Sequence, residues 1–431
     1  MRVTGSVARG LLVDVHSHIY TPRLVELLRR RASPPCISST DGQETLRTSR
    51  DSGEGKGSAF GPQFWQRSNK VAFMDRHRID ASIVSVADPC LDFLPPEEAV
   101  EAARVINEEL ESWCLPPASS SDSEDMPSSV FSAGDARTAF RAAVPNSSRI
   151  RAFGVLPFAN EAVPVAAVTS QLEAIHKSTS LRGAVLSTKG LGKGLDDERL
   201  EPLWECAERL EQPLFVHPHG DGTAPTSSAD GGLFGLRSSG ATLPLALGLP
   251  FETAAAAARL IVSGVLDRYP RLKLILAHSG GALPMLSSRL AWCVSQEADI
   301  RARLKHDVRY YLGQLYFDAL CYGPEELELA VKIVGRAHKH RRGGPGIYGT
   351  PKRGSQEEQE EITAGARRFL FGTDHPFFPP LASESSESSA EAPIWQSAST
   401  NLQALHAVAS FTAHERDLIA GSNASTLFGF S

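Results

Sequence analysis

Five residues of metal-ligating type stand at distant points of the chain, and each follows a short apolar run. His16 and His18 come after Leu11–Val15, His217 after Leu214–Val216, His278 after Lys273–Ala277 and Asp374 after Phe369–Phe371. A strand period of two points the imidazoles of His16 and His18 to the same side, whereas on a helix they would diverge. A polar pair at the carboxyl end of a buried strand is where a β/α barrel collects its ligands. Three histidines and an aspartate suit a borderline divalent ion such as zinc, with one position left for water or substrate. In Pro213-Leu-Phe-Val-His-Pro-His219 either histidine could face such an ion; the strand end favours His217 and leaves His219 to the loop. Ser279-Gly280-Gly281 after His278 permits close backbone approach. A carboxylate at Asp374, after so apolar a strand, is costly unless a cation pairs with it.

Positioning these groups requires regular elements. Runs rich in apolar and β-branched residues, bounded by turn residues, predict eight strands: Leu11–Val15, Ser82–Val86, Arg151–Leu156, Gly183–Leu186, Leu214–Val216, Lys273–Ala277, Leu315–Asp318 and Phe369–Phe371. Stretches of helical spacing separate most of them, among them Glu97–Trp113, Glu161–Ile175, Glu198–Leu210, Glu252–Leu266, Pro284–Val294 and Glu325–Val334. Alternation of this kind predicts an α/β fold, an eight-stranded parallel β/α (TIM) barrel with loop insertions. A doubly wound open sheet is the structural alternative, and the lack of Gly-x-Gly-x-x-Gly after the first strand weighs against its dinucleotide-binding form.

The 431 residues carry 44 Lys and Arg against 50 Asp and Glu, a net charge of −6, and no basic stripe, which argues against nucleic acid as a partner. Six widely spaced cysteines without a Cys-x-x-Cys pair read as reduced thiols. The first ten residues lack an apolar signal core and no stretch approaches the ~18 apolar residues of a membrane span, so no membrane partner and a cytoplasmic location are expected. One barrel domain over 11–431 is expected, with flexible insertions at about 33–62, 117–129, 338–361 and 382–393, none apolar enough to form its own core. The long connection from Thr21 to Val71 is a candidate lid.

The motifs Val13-Asp-Val-His-Ser-His18, Phe215-Val-His-Pro-His219, Leu276-Ala-His-Ser-Gly-Gly281 and Phe371-Gly-Thr-Asp-His-Pro-Phe-Phe-Pro-Pro380 resemble those of the amidohydrolase superfamily. Within it they are similar to the metal-dependent decarboxylase branch that includes aminocarboxymuconate-semialdehyde decarboxylase. Gly190-Leu-Gly-Lys-Gly-Leu-Asp-Asp197 and Leu243–Thr253 are most similar to fungal isoorotate (uracil-5-carboxylate) decarboxylases. The resemblance implies Zn2+, or another divalent metal, held by His16, His18, His217 and Asp374. His278 is then a catalytic histidine outside the ligand set, and Asp374 is both ligand and catalytic group. It also implies a substrate pocket lined by Phe377, and an Arg289 lent across a homodimer interface to hold a substrate carboxylate. Asp88 stands where the isoorotate enzymes carry asparagine, which exchanges an amide donor for an acceptor in that pocket. An arginine expected before Phe73-Met-Asp75 has no clear counterpart.

The expected partner is therefore a small-molecule carboxylate, an aromatic, heteroaromatic or muconate-type acid such as isoorotate or aminocarboxymuconate semialdehyde. The expected reaction is non-oxidative loss of carbon dioxide. A metal-dependent hydrolase of an ester, lactone or cyclic amide is the main rival, because the same ligands could activate water. A barrel that binds a ligand without catalysis is a third reading.

Overall fold

The computed structural model describes residues 10–47, 57–87, 91–115, 149–158, 162–218, 242–341, 349–380 and 394–430. Strands β1 (Val13–Ile19), β2 (Cys36–Thr40), β3 (Gln43–Arg47), β4 (Ser58–Ala59), β5 (Ala81–Val86), β6 (Ile150–Val155), β7 (Leu181–Ser187), β8 (Leu214–His217), β9 (Leu274–Leu276), β10 (Tyr316–Asp318) and β11 (Phe369–Leu370) form two sheets. Eight of them pair in parallel in the order β1-β5-β6-β7-β8-β9-β10-β11. The ring draws shut through the residues that follow β11. Val15 N donates to Phe371 O (2.9 Å), Asp374 N to His16 O (2.8 Å) and His18 N to His375 O (2.6 Å). Each expected strand corresponds to one of these eight, and the sheet curls into a nearly closed TIM barrel. The strands are buried almost throughout, as a parallel sheet covered on both faces demands.

Between strands run the helices Pro96–Cys114, Val165–Lys177, Glu201–Arg209, Leu249–Val262, Leu283–Gln296, Pro324–Gly335 and Gln356–Ala366. Their apolar stripes, for example Ala99, Ala103, Ile106 and Leu110 on the first, are fully buried. The run Pro244–Val262 is, against expectation, long and apolar enough by composition to cross a membrane. It buries Leu249, Ala257, Leu260 and Ile261, and a helix that packs apolar residues into a core satisfies the same compositional test.

Two of the expected insertions carry structure. Within 33–62, β2, β3 and β4 make an antiparallel sheet whose Cys36, Ile37 and Leu46 are buried. Its hairpin turns at Asp41-Gly42, both at positive φ (52° and 80°), the conformation that favours Asp-Gly between paired strands. Within 338–361, the helix Gln356–Ala366 begins at Ser355, whose side chain accepts from Glu358 N. Residues 117–129 and 382–393 lie outside the described residues.

The pairing of β1 with β5 shifts register between Asp14 and Ser17. Strict alternation would set these two residues on opposite faces. The irregularity lets both reach one ammonium, Lys70 Nζ, which lies 3.2 Å from Asp14 Oδ2 and 2.8 Å from Ser17 Oγ.

Candidate metal centre

His16 and His18, two residues apart on β1, bring their Nε2 atoms to 3.0 Å from each other. Asp374 Oδ1 lies 3.2 Å from His18 Nε2 and 3.5 Å from His16 Nε2. His217 closes β8, its ring centroid 5.2 Å from that of His16 and 4.9 Å from that of His18. His278 faces the group from beyond β9, with Nε2 4.0 Å from Asp374 Oδ2. Two triads of ligand atoms, His16-His18-Asp374 and His16-His217-His278, each fall within 4.8 Å and share His16. The five residues expected to meet therefore do so at the carboxyl ends of the strands.

The donor set fits a cation. His16 Nδ1 is held by Asp318 Oδ2 at 2.6 Å, His18 Nδ1 by Ser85 Oγ at 3.2 Å and His217 Nδ1 by the Pro218 carbonyl at 3.0 Å. A proton fixed at Nδ1 leaves Nε2 with a free lone pair, and on His16 and His18 the Nε2 atoms are the ones turned toward Asp374. His278 Nδ1, by contrast, is buried without a hydrogen-bond partner among the described residues.

Electrostatics separates the imidazoles. Burial and the neighbouring rings hold His217 well below the ordinary histidine range, and burial lowers His18 as well. Burial next to His16 pushes His278 down to about 4. Burial acts on His16 too, but the hydrogen bond to Asp318 and the charges of Asp374, Asp318 and Asp14 outweigh it and raise its pKa. The Asp374 carboxyl is opposed by burial yet held low by His18 and His16.

Asp318 is one of two residues at the site that sequence reasoning missed. It ends β10 fully buried, and besides His16 it accepts the backbone N–H groups of His278 (2.8 Å), Ser279 (2.7 Å) and Leu320 (3.2 Å). One carboxylate thus ties two strand ends together, fixing both His16 and the turn that presents His278. The available signal was an aspartate closing the apolar run Leu315–Asp318, the same signal that marked Asp374. Asp14 was likewise missed. It receives Thr373 N (3.1 Å), Thr373 Oγ1 (2.9 Å) and Lys70 Nζ, which ties β1 to the segment bearing Asp374.

Backbone strain gathers here. His278, Ser279, Tyr322, Asp374 and Phe378 all take positive φ, between 53° and 59°, although none is glycine. Such conformations cost of order 1–3 kcal/mol each and persist where the surroundings hold a side chain in a required direction.

Of the expected substrate contacts, Phe377 is half-buried with its ring 5.5 Å from His18 and 5.6 Å from Phe64. Phe64 belongs to the connection Thr21–Val71, so this segment does reach the site. Arg289 lies exposed on the helix Leu283–Gln296 and does not line the cavity of its own chain. Asp88 and His219 fall outside the described residues. His278 and Asp374 form part of the wall of a cavity of about 1050 Å3 among the described residues.

The sequence profile of the amidohydrolase family matches residues 127–338. The chain is 28% identical over 180 residues to 2-amino-3-carboxymuconate-6-semialdehyde decarboxylase of Dictyostelium discoideum, a match covering 40% of this chain and 46% of that protein. That alignment spans less than half of the relative's length. Decarboxylase yanB of Aspergillus niger is 26% identical over 344 residues, covering 78% of this chain and 76% of that protein. The fold matches the crystal structure of Metarhizium anisopliae IDCase in apo form with a TM-score of 0.74 and 27% identity, over 97% of each chain. The family profile spans β6 to β10, and a homologous solved barrel matches along nearly the whole chain: this protein belongs to the amidohydrolase family.

Proposed function

We propose that the protein is a metal-dependent, non-oxidative decarboxylase of a small aromatic, heteroaromatic or muconate-type carboxylic acid. The observation that carries this reading is the convergence of His16, His18, His217, His278 and Asp374 at one end of the barrel, where His278 and Asp374 line a cavity. His16, His18, His217 and Asp374 would hold the ion, with zinc the best match to three imidazoles and a carboxylate. When bound, the ion supplies Lewis acidity toward a substrate oxygen.

The remaining chemistry falls to the chain. Loss of carbon dioxide leaves the electron pair of the broken C–C bond on the ring carbon, and a proton must arrive there to form the new C–H bond. Asp374 and His278 face each other at 4.0 Å, and both reach the cavity. They are the pair that passes this proton, Asp374 serving as ligand and as proton carrier. Phe377 bears on the substrate ring beside His18. Asp88 would accept a hydrogen bond from a substrate donor.

Arg289 would reach a substrate carboxylate only from a second copy. Its helix exposes Met285 (61%), Leu286 and Trp292 (70%) around it, an apolar surface that supports a homodimer. The five described cysteines are free, which supports a cytoplasmic location. The likeness to IDCase favours isoorotate as substrate and the Dictyostelium relative favours a muconate semialdehyde. Zinc-loaded protein incubated with isoorotate, aminocarboxymuconate semialdehyde and salicylate-type acids should release carbon dioxide from at least one. Incorporation of solvent oxygen into a product carbonyl, without carbon dioxide, would make it a hydrolase instead.

A further inference from the structure

Lys70, on the helix Arg67–Arg76, is only 1% exposed. A lysine is almost never taken wholly out of water unless something pairs with it. Its ammonium has three neighbours: Ser17 Oγ at 2.8 Å, Asp14 Oδ2 at 3.2 Å and the face of the Phe73 ring, 4.8 Å from the centroid. None of the three belongs to the side chains clustered at the metal centre, and Lys70 is not among the described residues that line the cavity. The ammonium therefore meets neither the ion nor the substrate directly.

Each neighbour leads instead to a segment that carries a ligand. Ser17 stands between His16 and His18, and its Oγ also meets Ser82 Oγ on β5 at 3.0 Å. Asp14 receives Thr373 N and Thr373 Oγ1, and Thr373 precedes Asp374. Phe73 stacks on His375, the residue after Asp374, with ring centroids 3.8 Å apart and planes 24° from parallel. One buried cation thus bears on both flanks of Asp374 and on the link between the two histidines of β1. Asp374 itself is held at φ 57°, a conformation that persists only when its surroundings restrain it.

We infer that Lys70 is a positioning residue of the metal centre. By answering the charge of Asp14 it holds Thr373, Asp374 and His375 against β1, so that His16, His18 and Asp374 present their ligand atoms to one ion. The inference rests on the metal-centre reading and needs no particular substrate. Without the ammonium, Asp14 becomes a buried charge with no opposite charge beside it, facing only hydroxyls and the N–H groups of Thr373 and His16. The contact between β1 and Thr373 then loosens, and Asp374 moves with it.

The test uses full-length protein loaded with Co2+, whose visible bands report ligand geometry where zinc is silent. Lys70→Met keeps the length of the side chain and removes its charge. Its bands should shift, and in competition with a chelator its affinity for Co2+ should fall at least about tenfold. At saturating metal, kcat for carbon dioxide release should fall about tenfold or more with KM within about threefold. Lys70→Met with Asp14→Asn removes both charges, while the new amide oxygen can still accept from Thr373 N and the hydroxyls of Ser82 and Thr373 can turn to accept from its NH2. This double variant should regain the parent bands and at least about threefold of the lost affinity. A lower melting temperature in Lys70→Met with parent bands, affinity and kcat would make Lys70 a stabilising residue only and overturn the inference. A double variant no better than the single one would overturn the role given to charge. Should Lys70→Met fail to fold, Ser17→Ala takes its place: it removes one acceptor of the ammonium and leaves the ion pair, and parent bands and affinity there overturn the inference. Parent protein that takes up no Co2+ overturns the metal-centre reading and this inference together. Parent protein that binds Co2+ and releases no carbon dioxide overturns decarboxylation alone, since bands and affinity still test Lys70.

Discussion

Replacing Asp318 by asparagine tests whether the metal centre is held from behind as the geometry requires. Oδ2 accepts from His16 Nδ1 and His278 N, and Oδ1 from Ser279 N and Leu320 N. An amide offers one acceptor oxygen and one NH2 group, so whichever way the new side chain turns, two donors confront a donor. With NH2 at the Oδ2 position, His16 loses its acceptor at Nδ1, and the tautomer that frees Nε2 is no longer favoured. With NH2 at the Oδ1 position, two buried backbone N–H groups go unpaired at about 1–3 kcal/mol each. Loss of a carboxylate behind a ligating histidine typically lowers metal affinity by about 10–100-fold, roughly 1.4–2.7 kcal/mol. The assay is competition for zinc against a chromophoric chelator, with thermal unfolding of the metal-free protein run beside it to detect any general loss of structure. An affinity within about twofold of the parent protein would refute a role for Asp318 in setting the His16 tautomer.

His278→Ala should keep its metal while turnover falls by about 100-fold or more, the scale of a lost proton-transfer group; loss of the metal on this change would contradict the ligand assignment. Asp374→Asn should lose activity even when saturated with zinc, since both a ligand and a proton carrier are gone; full activity at saturating metal would contradict the double role. The metal-free protein should lose stability as pH falls from about 6.5 toward 4. His18, His217 and His278 stay neutral when folded because burial holds them low, whereas the unfolded chain binds protons there, so stability is present above 6.5 and drops through that window. His16, raised, pulls the other way but is one against three. Equal urea midpoints at pH 7 and pH 5 would contradict this.

Much of the fold was legible because parallel barrel strands are buried on both faces and leave uninterrupted apolar runs such as Leu274-Ile-Leu-Ala277. The five clustered polar residues were legible for the same reason, each standing where such a run stops. Asp318 closes its run, but a strand-ending aspartate without histidine neighbours in sequence gives no sign that it meets His16, 302 positions away. The Asp14–Lys70 pair was hidden by the register shift in β1, which no alternation pattern predicts. Two elements were missed although their signals were present. Asp41-Gly42 is a hairpin dipeptide and Ser355-x-x-Glu358 a helix start, but Ser, Gly and charge-rich composition around them reads as loop. Asp41-Gly42 turns a sheet that gains its stability by setting Ile37 and Leu46 against the barrel's core, a long-range contact that local composition does not show.

All of this turns on whether the five clustered side chains surround an ion that promotes loss of carbon dioxide from a ring acid. The decisive assay follows carbon dioxide release from a ring-acid panel in 18O-labelled water, comparing chelator-treated protein with the same sample after zinc is restored. Release should vanish with the chelator, return with the metal and leave no 18O in the organic product. Label appearing in a product carbonyl, or release that persists in metal-free protein, would contradict a metal-dependent decarboxylase.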